Sequence, residues 1–142
     1  IAEYVQEKIR TNLGANIRIE PIPFKERMAR LQQKDFEIVL SGWGSDYADP
    51  MTYIDLFVTN GGNNHSSYSN PKYDELIKTA NNSSDNKVRM QAMRDAEKIL
   101  GDDMPVGVML YSTRVIMLNP KIKNVYFKGI GAEYYLYDAY VE

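Results

Sequence analysis

Hydrophobic residues near the start of the chain follow first a helical and then a strand-like spacing. Apolar side chains recur every four residues at Ile1, Val5, Ile9 and Leu13. Gly14 follows them, and this pattern predicts an amphipathic helix that ends at a glycine. The next segment, "NIRIEPI" at 16–22, alternates apolar and polar side chains. It predicts a strand of about six residues, with Ile17 and Ile19 on one face.

The same order of elements is then repeated. Pro23 is suited to the first turn of a second helix, and Phe24, Met28 and Leu31 would share one face of it. The mostly apolar segment "FEIVLSGW" at 36–43 is typical of a strand that is buried on both faces. The succession of helix, strand, helix and strand predicts two parallel strands joined by a right-handed crossover.

Two pairs of a capping residue and a proline predict further helix starts. They are Asp49-Pro50 and Asn70-Pro71, each with a good N-cap residue before a proline at the first helical position. Between them lies a polar loop, "TNGGNNHSSYSN" at 59–70. The helix after Asn70 would turn four side chains inward, those of Tyr73, Leu76, Ile77 and Ala80.

The longest predicted helix follows a break at "NNSSD", residues 81–85, and runs to Gly101. Its apolar positions are Val88, Ala92, Met93, Ala96, Ile99 and Leu100. After Pro105, an alternating segment at 106–110 and the apolar run at 115–118 are strand-like, and "NPKIKN" at 119–124 predicts a turn. The tyrosine-rich tail, residues 134–142, favours a strand. We therefore predict an α/β architecture throughout.

Composition and charge narrow the class of protein. At 142 residues, with 44% hydrophobic and 25% charged residues, the chain has the make-up of one globular domain. Its net charge of −2 argues against nucleic acid or an anionic membrane as a partner. The chain starts at Ile1, already within a helical pattern, so we expect it to be a piece of a longer protein.

Few residues are available for catalysis or metal binding. The sequence has no cysteine, which excludes disulfides, thiolate metal sites and a cysteine nucleophile. Its single histidine, His65, lies in the polar loop, where a solvated side chain is the simplest interpretation. The spacing of Asp46, Asp49 and Asp55 does not fit a calcium loop. We therefore expect no catalytic site, no metal site and no cofactor.

The segment "SGWGSDYADPM" at 41–51 carries the most distinctive chemistry. Trp43, the only tryptophan, lies between Gly42 and Gly44 at the end of a predicted strand. Glycines allow another backbone to approach closely, and ligands of α/β sheets gather at the carboxyl ends of strands. Asp49 is explained as a helix cap. Asp46 is either a turn-forming residue or a carboxylate for an amine-bearing ligand, and the residues alone leave both open.

Nearly the whole chain resembles the C-terminal part of the oligopeptide-binding proteins of bacterial peptide ABC transporters, extracellular solute-binding family 5. Three stretches carry the resemblance in order: "DFEIVLSGWGSDYADPMTYIDLF", "GGNNHSSYSNPKYDELIKTA" and "AEKILGDDMPVGVMLY". It implies a lobe of the type II periplasmic-binding-protein class, a mixed sheet flanked by helices. Residues 1–128 would form the second lobe, and residues 129–142 would cross back toward the first lobe.

The resemblance also implies roles for five residues. The Asp of the family's Trp-x-x-Asp-Tyr turn pairs with the free α-amino group of the bound peptide, which assigns that role to Asp46. Backbone groups of Gly42, Trp43 and Gly44 would hydrogen-bond the extended peptide. Trp43 would also line a side-chain pocket, and Ser45 completes the set. Some family members have an arginine in the preceding strand, where this chain has Leu40. Asp46 therefore has no arginine charge at that position to support its carboxylate.

The implied function is non-catalytic capture of peptides outside the cytoplasmic membrane and their delivery to an ABC importer. The implied partners are peptides with a free N-terminus, the permease subunits and the missing N-terminal lobe. The protein would be a cell-surface lipoprotein or periplasmic. Two alternatives remain: the same fold with another ligand (a dipeptide, a nickel complex, haem or a sugar), or a ligand-sensing domain of a regulator.

Overall fold

Helices make up most of the regular structure. The structure is a computed structural model, and it describes residues 1–113, 115–130 and 134–142. The helices are α1 (Ala2–Leu13), α2 (Phe24–Gln33), α3 (Met51–Ile54), α4 (Pro71–Asn82) and α5 (Asn86–Asp103), and a 3₁₀ turn at Asp55–Phe57 follows α3. The strands are β1 (Ile122–Lys123), β2 (Tyr126–Phe127), β3 (Tyr134–Tyr135) and β4 (Tyr140–Val141).

The chain divides into two units, Ile1–Gly42 and Trp43–Glu142. The division that we predict between residues 128 and 129 stays a prediction, and residues 131–133 of its second part lie outside the described residues. In the first unit, α1 ends as predicted. Gly14 takes a left-handed conformation with φ 66°, and its N–H donates to the Arg10 carbonyl at 3.1 Å.

The second helix of this unit is correctly predicted, but one member of its apolar face is not buried. Leu31 is buried and Met28 is half-buried, whereas Phe24 is 70% exposed. Phe24 stands at the first position of α2, where the Arg27 guanidinium lies 5.1 Å from its ring centroid. A guanidinium can lie over the face of an exposed ring while both groups remain in contact with solvent, and this is the arrangement of Arg27 and Phe24.

The two strands predicted in the first 43 residues are not formed. Ile17 and Ile19 are half-buried and their neighbours are exposed, so the alternation is correct, but no described segment pairs with residues 14–23. The prediction that 36–43 is a strand buried on both faces is wrong, since Ile38 is 73% and Leu40 is 47% exposed. The parallel pairing is also not formed. A strand needs a hydrogen-bonded neighbour, and within the described residues these segments have none.

The predicted start of α4 is confirmed by its cap, whereas α3 begins at Met51, one residue later than predicted. The Asn70 side chain accepts from the N–H groups of Lys72 and Tyr73, and Pro71 occupies the first turn of α4. The Asp85 side chain accepts from the Lys87 N–H at the start of α5. Helix α5 is the longest, as predicted, but it continues past Gly101 to Asp103.

The packing of α4 against α5 forms the main core. Both helices contribute small or aromatic side chains that exclude water, and α3 closes one side. The buried members are Met51, Ile54, Tyr73, Ile77, Ala80, Ala92, Met93 and Ala96. This confirms the predicted inward face of α4, while Val88 at the start of α5 is 47% exposed. The core is therefore helical.

Sheet structure is confined to the C-terminal residues. Strand β1 pairs antiparallel with β4, and β2 pairs antiparallel with β3. The strand predicted over residues 134–142 is confirmed only in part: the tail forms two short strands, β3 and β4, which pair with different partners within the chain. The strands predicted at 106–110 and 115–118 are not formed, and many of their side chains are exposed. No described residue forms strand hydrogen bonds with those segments. The strand predicted at residues 36–43 is absent for the same reason.

Candidate ligand-binding site

The segment 43–50, which we call the acidic turn, is held to α3 by hydrogen bonds. The Asp46 backbone N–H donates to Thr52 Oγ1 at 3.1 Å, and Thr52 is buried. The hydroxyls of Ser45 and Tyr53 are 2.5 Å apart and share a hydrogen bond. Two successive positions of the turn are therefore fixed by two successive residues of the helix that follows.

Asp49 fixes the other end of the acidic turn. Its Oδ1 accepts from the Met51 N–H at 2.9 Å, which confirms its predicted capping role. Both of its oxygens also accept from Arg89 of α5, at 2.7 Å each. The Arg89 guanidinium, followed by the Met51 N–H, holds the pKa of the Asp49 carboxyl below its ordinary value. Asp49 is therefore ionised, and both of its oxygens already accept hydrogen bonds from within the chain.

Asp46 is in a different situation. Its side chain is exposed, and in the described part of the chain no cation or hydrogen-bond donor pairs with its carboxylate. The charge of Asp46 adds to partial burial in raising the pKa of the Asp55 carboxyl. Partial burial and the carboxylates of Asp55, Asp49 and Asp46 also raise the pKa of the Tyr47 hydroxyl. The acidic turn thus has a negative potential that favours a cation.

The aromatic and glycine positions leave room for a ligand. The Trp43 side chain is 42% exposed. A Cβ atom added at Gly44 would meet no heavy atom of the described residues within 4 Å, and the same holds at Gly42, the last residue of the first unit. Neither glycine has a positive φ. Their lack of a side chain is therefore not required by the local backbone or its neighbours, which fits the predicted close approach of another backbone.

Sequence analysis missed the residues that hold the acidic turn in place. Thr52 and Tyr53 lie two and three residues after the Asp49-Pro50 pair, so the helix start predicted there was a local signal that they lie close to the turn. Arg89 lies 40 residues from Asp49, and only the packing of α5 brings them together. Nothing in the spacing of the sequence indicated this pair.

The polar loop before α4 is organised by one buried amide. Asn64 is 3% exposed, and its Nδ2 donates to the carbonyls of Val58 and Tyr68 at 3.0 and 2.8 Å. His65 beside it is half-buried. Among the described residues, no group of three or more His, Asp or Glu side chains is arranged to hold a metal ion. None of the described helices combines the length and apolarity needed to cross a bilayer.

Comparison with known proteins identifies the family of the chain. Residues 1–65 match the family model described as bacterial extracellular solute-binding proteins, family 5 Middle. The oligopeptide-binding protein OppA of Bacillus subtilis is 31% identical over 95% of the chain. A dipeptide-binding protein of Lactococcus lactis is 33% identical over 99% of the chain. The chain belongs to the family 5 bacterial extracellular solute-binding proteins.

The family 5 fold is also supported by structure. The substrate-binding domain of an oligopeptide ABC transporter from Bacillus anthracis matches 98% of the chain, with 37% identity and a TM-score of 0.91. This confirms the predicted class, a periplasmic-binding-protein-like α/β fold. The chain spans about a quarter of the length of these proteins: 25% of the B. subtilis protein, 26% of the L. lactis protein and 28% of the B. anthracis structure. The acidic turn lies within the stretch that matches the family model.

Proposed function

We propose that this chain is part of a receptor that captures peptides outside the cytoplasmic membrane and delivers them to an ABC importer. The observation that carries the proposal is the exposed carboxylate of Asp46, which has no partner among the described residues, three positions along the chain from the exposed Trp43. The names of the relatives support a peptide as the ligand. The role is binding, and we propose no reaction.

The chemistry of the acidic turn favours the N-terminus of a peptide. An α-amino group has a pKa near 8, so it is mostly a cation at neutral pH. A carboxylate without an internal partner can form a charge-assisted hydrogen bond with it. Asp49 is less suited to this role because Arg89 already donates to both of its oxygens and balances its charge. We therefore assign the peptide ammonium group to Asp46.

The remaining candidate residues suit the peptide backbone. An extended peptide uses main-chain hydrogen bonds, which tolerate any side chain. Gly42, Trp43 and Gly44 offer such groups with no bulk beside the two glycines. Ser45 would act indirectly through its hydrogen bond with Tyr53. The proposal includes three further points. Another part of the receptor faces the ligand from the opposite side, and the permease subunits receive the ligand. The receptor is either anchored by lipid or released into a periplasm.

The test is calorimetry on the protein expressed at its natural full length. A peptide with a free N-terminus is compared with the same peptide after N-acetylation, which removes the cation. We expect the acetylated form to bind at least about thirtyfold more weakly, because loss of one partner of a charge pair that is buried in the complex costs about 2–5 kcal/mol. Asp46→Asn should weaken the free peptide equally, and Asp102→Asn, on α5, should not. Equal binding of both peptides would refute the assignment of Asp46.

A dipeptide is the second candidate ligand. It is favoured by the 33% identity to a dipeptide-binding protein. Both ligands would place an ammonium group at Asp46, so the acetylation test does not separate them. Mass spectrometry of ligand released from the natural protein would separate them by length.

A further inference from the structure

Besides its hydrogen bonds to α3, the acidic turn has a two-point contact with α5. Arg89 Nη1 and Nη2 donate to Asp49 Oδ2 and Oδ1, each at 2.7 Å. Arg89 lies on α5, three and four residues before Ala92 and Met93, which are buried in the core. The guanidinium thus joins the end of the turn to α5, which contributes three buried residues to the core.

Capping alone does not require this arrangement. The cap uses one oxygen of Asp49, which accepts from the Met51 N–H. A bidentate guanidinium also fixes the plane of the carboxylate, which a lysine ammonium could not do. The backbone of Asp49 takes part as well, since its N–H donates to the Tyr47 carbonyl at 2.9 Å. Fixing this carboxylate therefore fixes the path of the chain back toward Asp46.

The position of Asp46 depends on both ends of the turn. Its N–H is held by Thr52 Oγ1, and Asp49 is only three residues further along the chain. The Thr52 N–H also donates to the Asp49 carbonyl at 3.2 Å. Thr52 therefore holds the backbone of the turn at both Asp46 and Asp49. If Arg89 is removed, the end of the turn is no longer tied to α5, and the direction of the Asp46 carboxylate is less defined.

A role in stability alone accounts poorly for the pair. The side chains of Arg89 and Asp49 are 24% and 29% exposed, and ion pairs with this access to solvent usually add little to stability. Orientation is a different matter, since a charge that must meet a ligand's ammonium group loses affinity when its direction varies.

We propose that Arg89 is a positioning residue for peptide binding, acting through Asp49 to hold the acidic turn so that Asp46 meets the peptide's N-terminus. The inference rests on the proposed function for its ligand. Its structural half, that Arg89 orders the turn, does not depend on any ligand.

The structural half is tested by hydrogen exchange on the natural full-length protein without ligand. Arg89→Gln should raise the exchange rates of the Asp46 and Met51 amides by about tenfold or more. Arg89 then no longer holds Asp49 Oδ1, the acceptor of the Met51 amide, and the turn that keeps the Asp46 amide on Thr52 Oγ1 is no longer tied to α5. Arg94→Gln removes another arginine of α5 and should leave both rates unchanged. Unchanged rates in Arg89→Gln would overturn the inference, whatever the ligand is.

The ligand half is tested by the ratio of affinities for free and N-acetylated peptide. Arg89→Gln should lower this ratio about tenfold, and Arg89→Lys should lower it less. Ala80→Gly weakens α4 without removing any hydrogen bond of the acidic turn, so it controls for general loss of stability and should leave the ratio unchanged. A ratio that is unchanged in Arg89→Gln, or that falls equally in Ala80→Gly, would overturn the positioning role.

The two failures can be distinguished. If the wild-type protein does not discriminate between free and acetylated peptide, the proposed function fails, and so does the ligand half of the inference. Faster exchange in Arg89→Gln would then still support the ordering of the turn. If the wild type discriminates and Arg89→Gln discriminates to the same extent, the proposed function stands and Arg89 has no positioning role.

Discussion

Asn64 and Tyr68 are joined by two hydrogen bonds that run in opposite directions. The Asn64 Nδ2 group donates to the Tyr68 carbonyl at 2.8 Å, and the Tyr68 N–H donates to Asn64 Oδ1 at 3.1 Å. The same Nδ2 group also donates to the Val58 carbonyl at 3.0 Å. One buried amide thus closes the loop between α3 and α4, and both its donor and its acceptor are needed.

Asn64→Asp should destabilise the chain by about 2–4 kcal/mol. The substitution keeps the shape but replaces the donor with an oxygen. The Tyr68 carbonyl then loses this donor, and the Val58 carbonyl keeps only the Gly61 N–H, beside a buried charge. Urea titration followed by circular dichroism measures the free energy of unfolding. Asn63→Asp makes the same change at the exposed neighbouring residue and should shift the free energy by less than about 0.5 kcal/mol. Similar losses in both variants would contradict the role of Asn64.

Gly14→Ala should destabilise the end of α1 by about 1 kcal/mol. Gly14 has φ 66°, a conformation that costs a residue with a Cβ atom about 1–2 kcal/mol. Gly62→Ala is the matched control, because Gly62 has no positive φ and an added Cβ would have open space. Thermal unfolding should show a lower midpoint for Gly14→Ala alone. If the two alanines behave alike, the cap does not depend on the left-handed conformation.

The stability of the acidic turn should depend on pH through Asp49. Arg89 and the Met51 N–H lower the pKa of Asp49 in the folded chain from its ordinary value of 3.8. As the pH falls below about 4, the unfolded chain takes up this proton first, so the contribution of Asp49 is complete above that pH and decreases as the pH falls through the lowered pKa.

Asp49→Asn should therefore flatten the decrease in unfolding free energy below about pH 4. Urea titrations at several pH values measure the slope. Asp102→Asn removes an exposed carboxylate of α5 and should preserve the wild-type slope. A curve for Asp49→Asn that is as steep as that of the wild type would show that its pKa is not lowered by folding.

The helices and their caps could be predicted from the sequence because their signals are local. Asn70-Pro71 starts α4 through hydrogen bonds that span only three residues, and Gly14 ends α1 within one turn. Residues 36–43 show the limit of such signals. Their apolar pattern is that of a strand, but a strand exists only with a neighbour, and no described residue pairs with them.

The candidate site shows the same division between local and distant contacts. Trp43, Asp46 and the capping role of Asp49 could be found in eleven consecutive letters. The Arg89–Asp49 pair could not, because it joins residues 40 positions apart through the packing of α5. Asn64 could not be distinguished from Asn63 either, since only the folded loop makes one of two adjacent amides buried.

Gly44→Val should separate folding from peptide binding. An added Cβ at Gly44 meets no heavy atom of the described residues within 4 Å, and φ is not positive there, so the chain should accept a side chain with a change in unfolding free energy below about 1 kcal/mol. A peptide lying against this backbone would be displaced by the two methyl groups and would lose its main-chain hydrogen bonds.

We expect Gly44→Val to weaken peptide binding by about tenfold or more in the natural full-length protein, as measured by calorimetry. Gly62→Val places the same side chain on the polar loop and should leave affinity unchanged. The peptide is proposed to run along Trp43 and Gly44, and Trp43 is partly exposed. A side chain added at Gly44 therefore also tests the peptide's path. Full affinity in Gly44→Val would mean that the peptide backbone does not pass the acidic turn at this residue, even if its ammonium group binds Asp46.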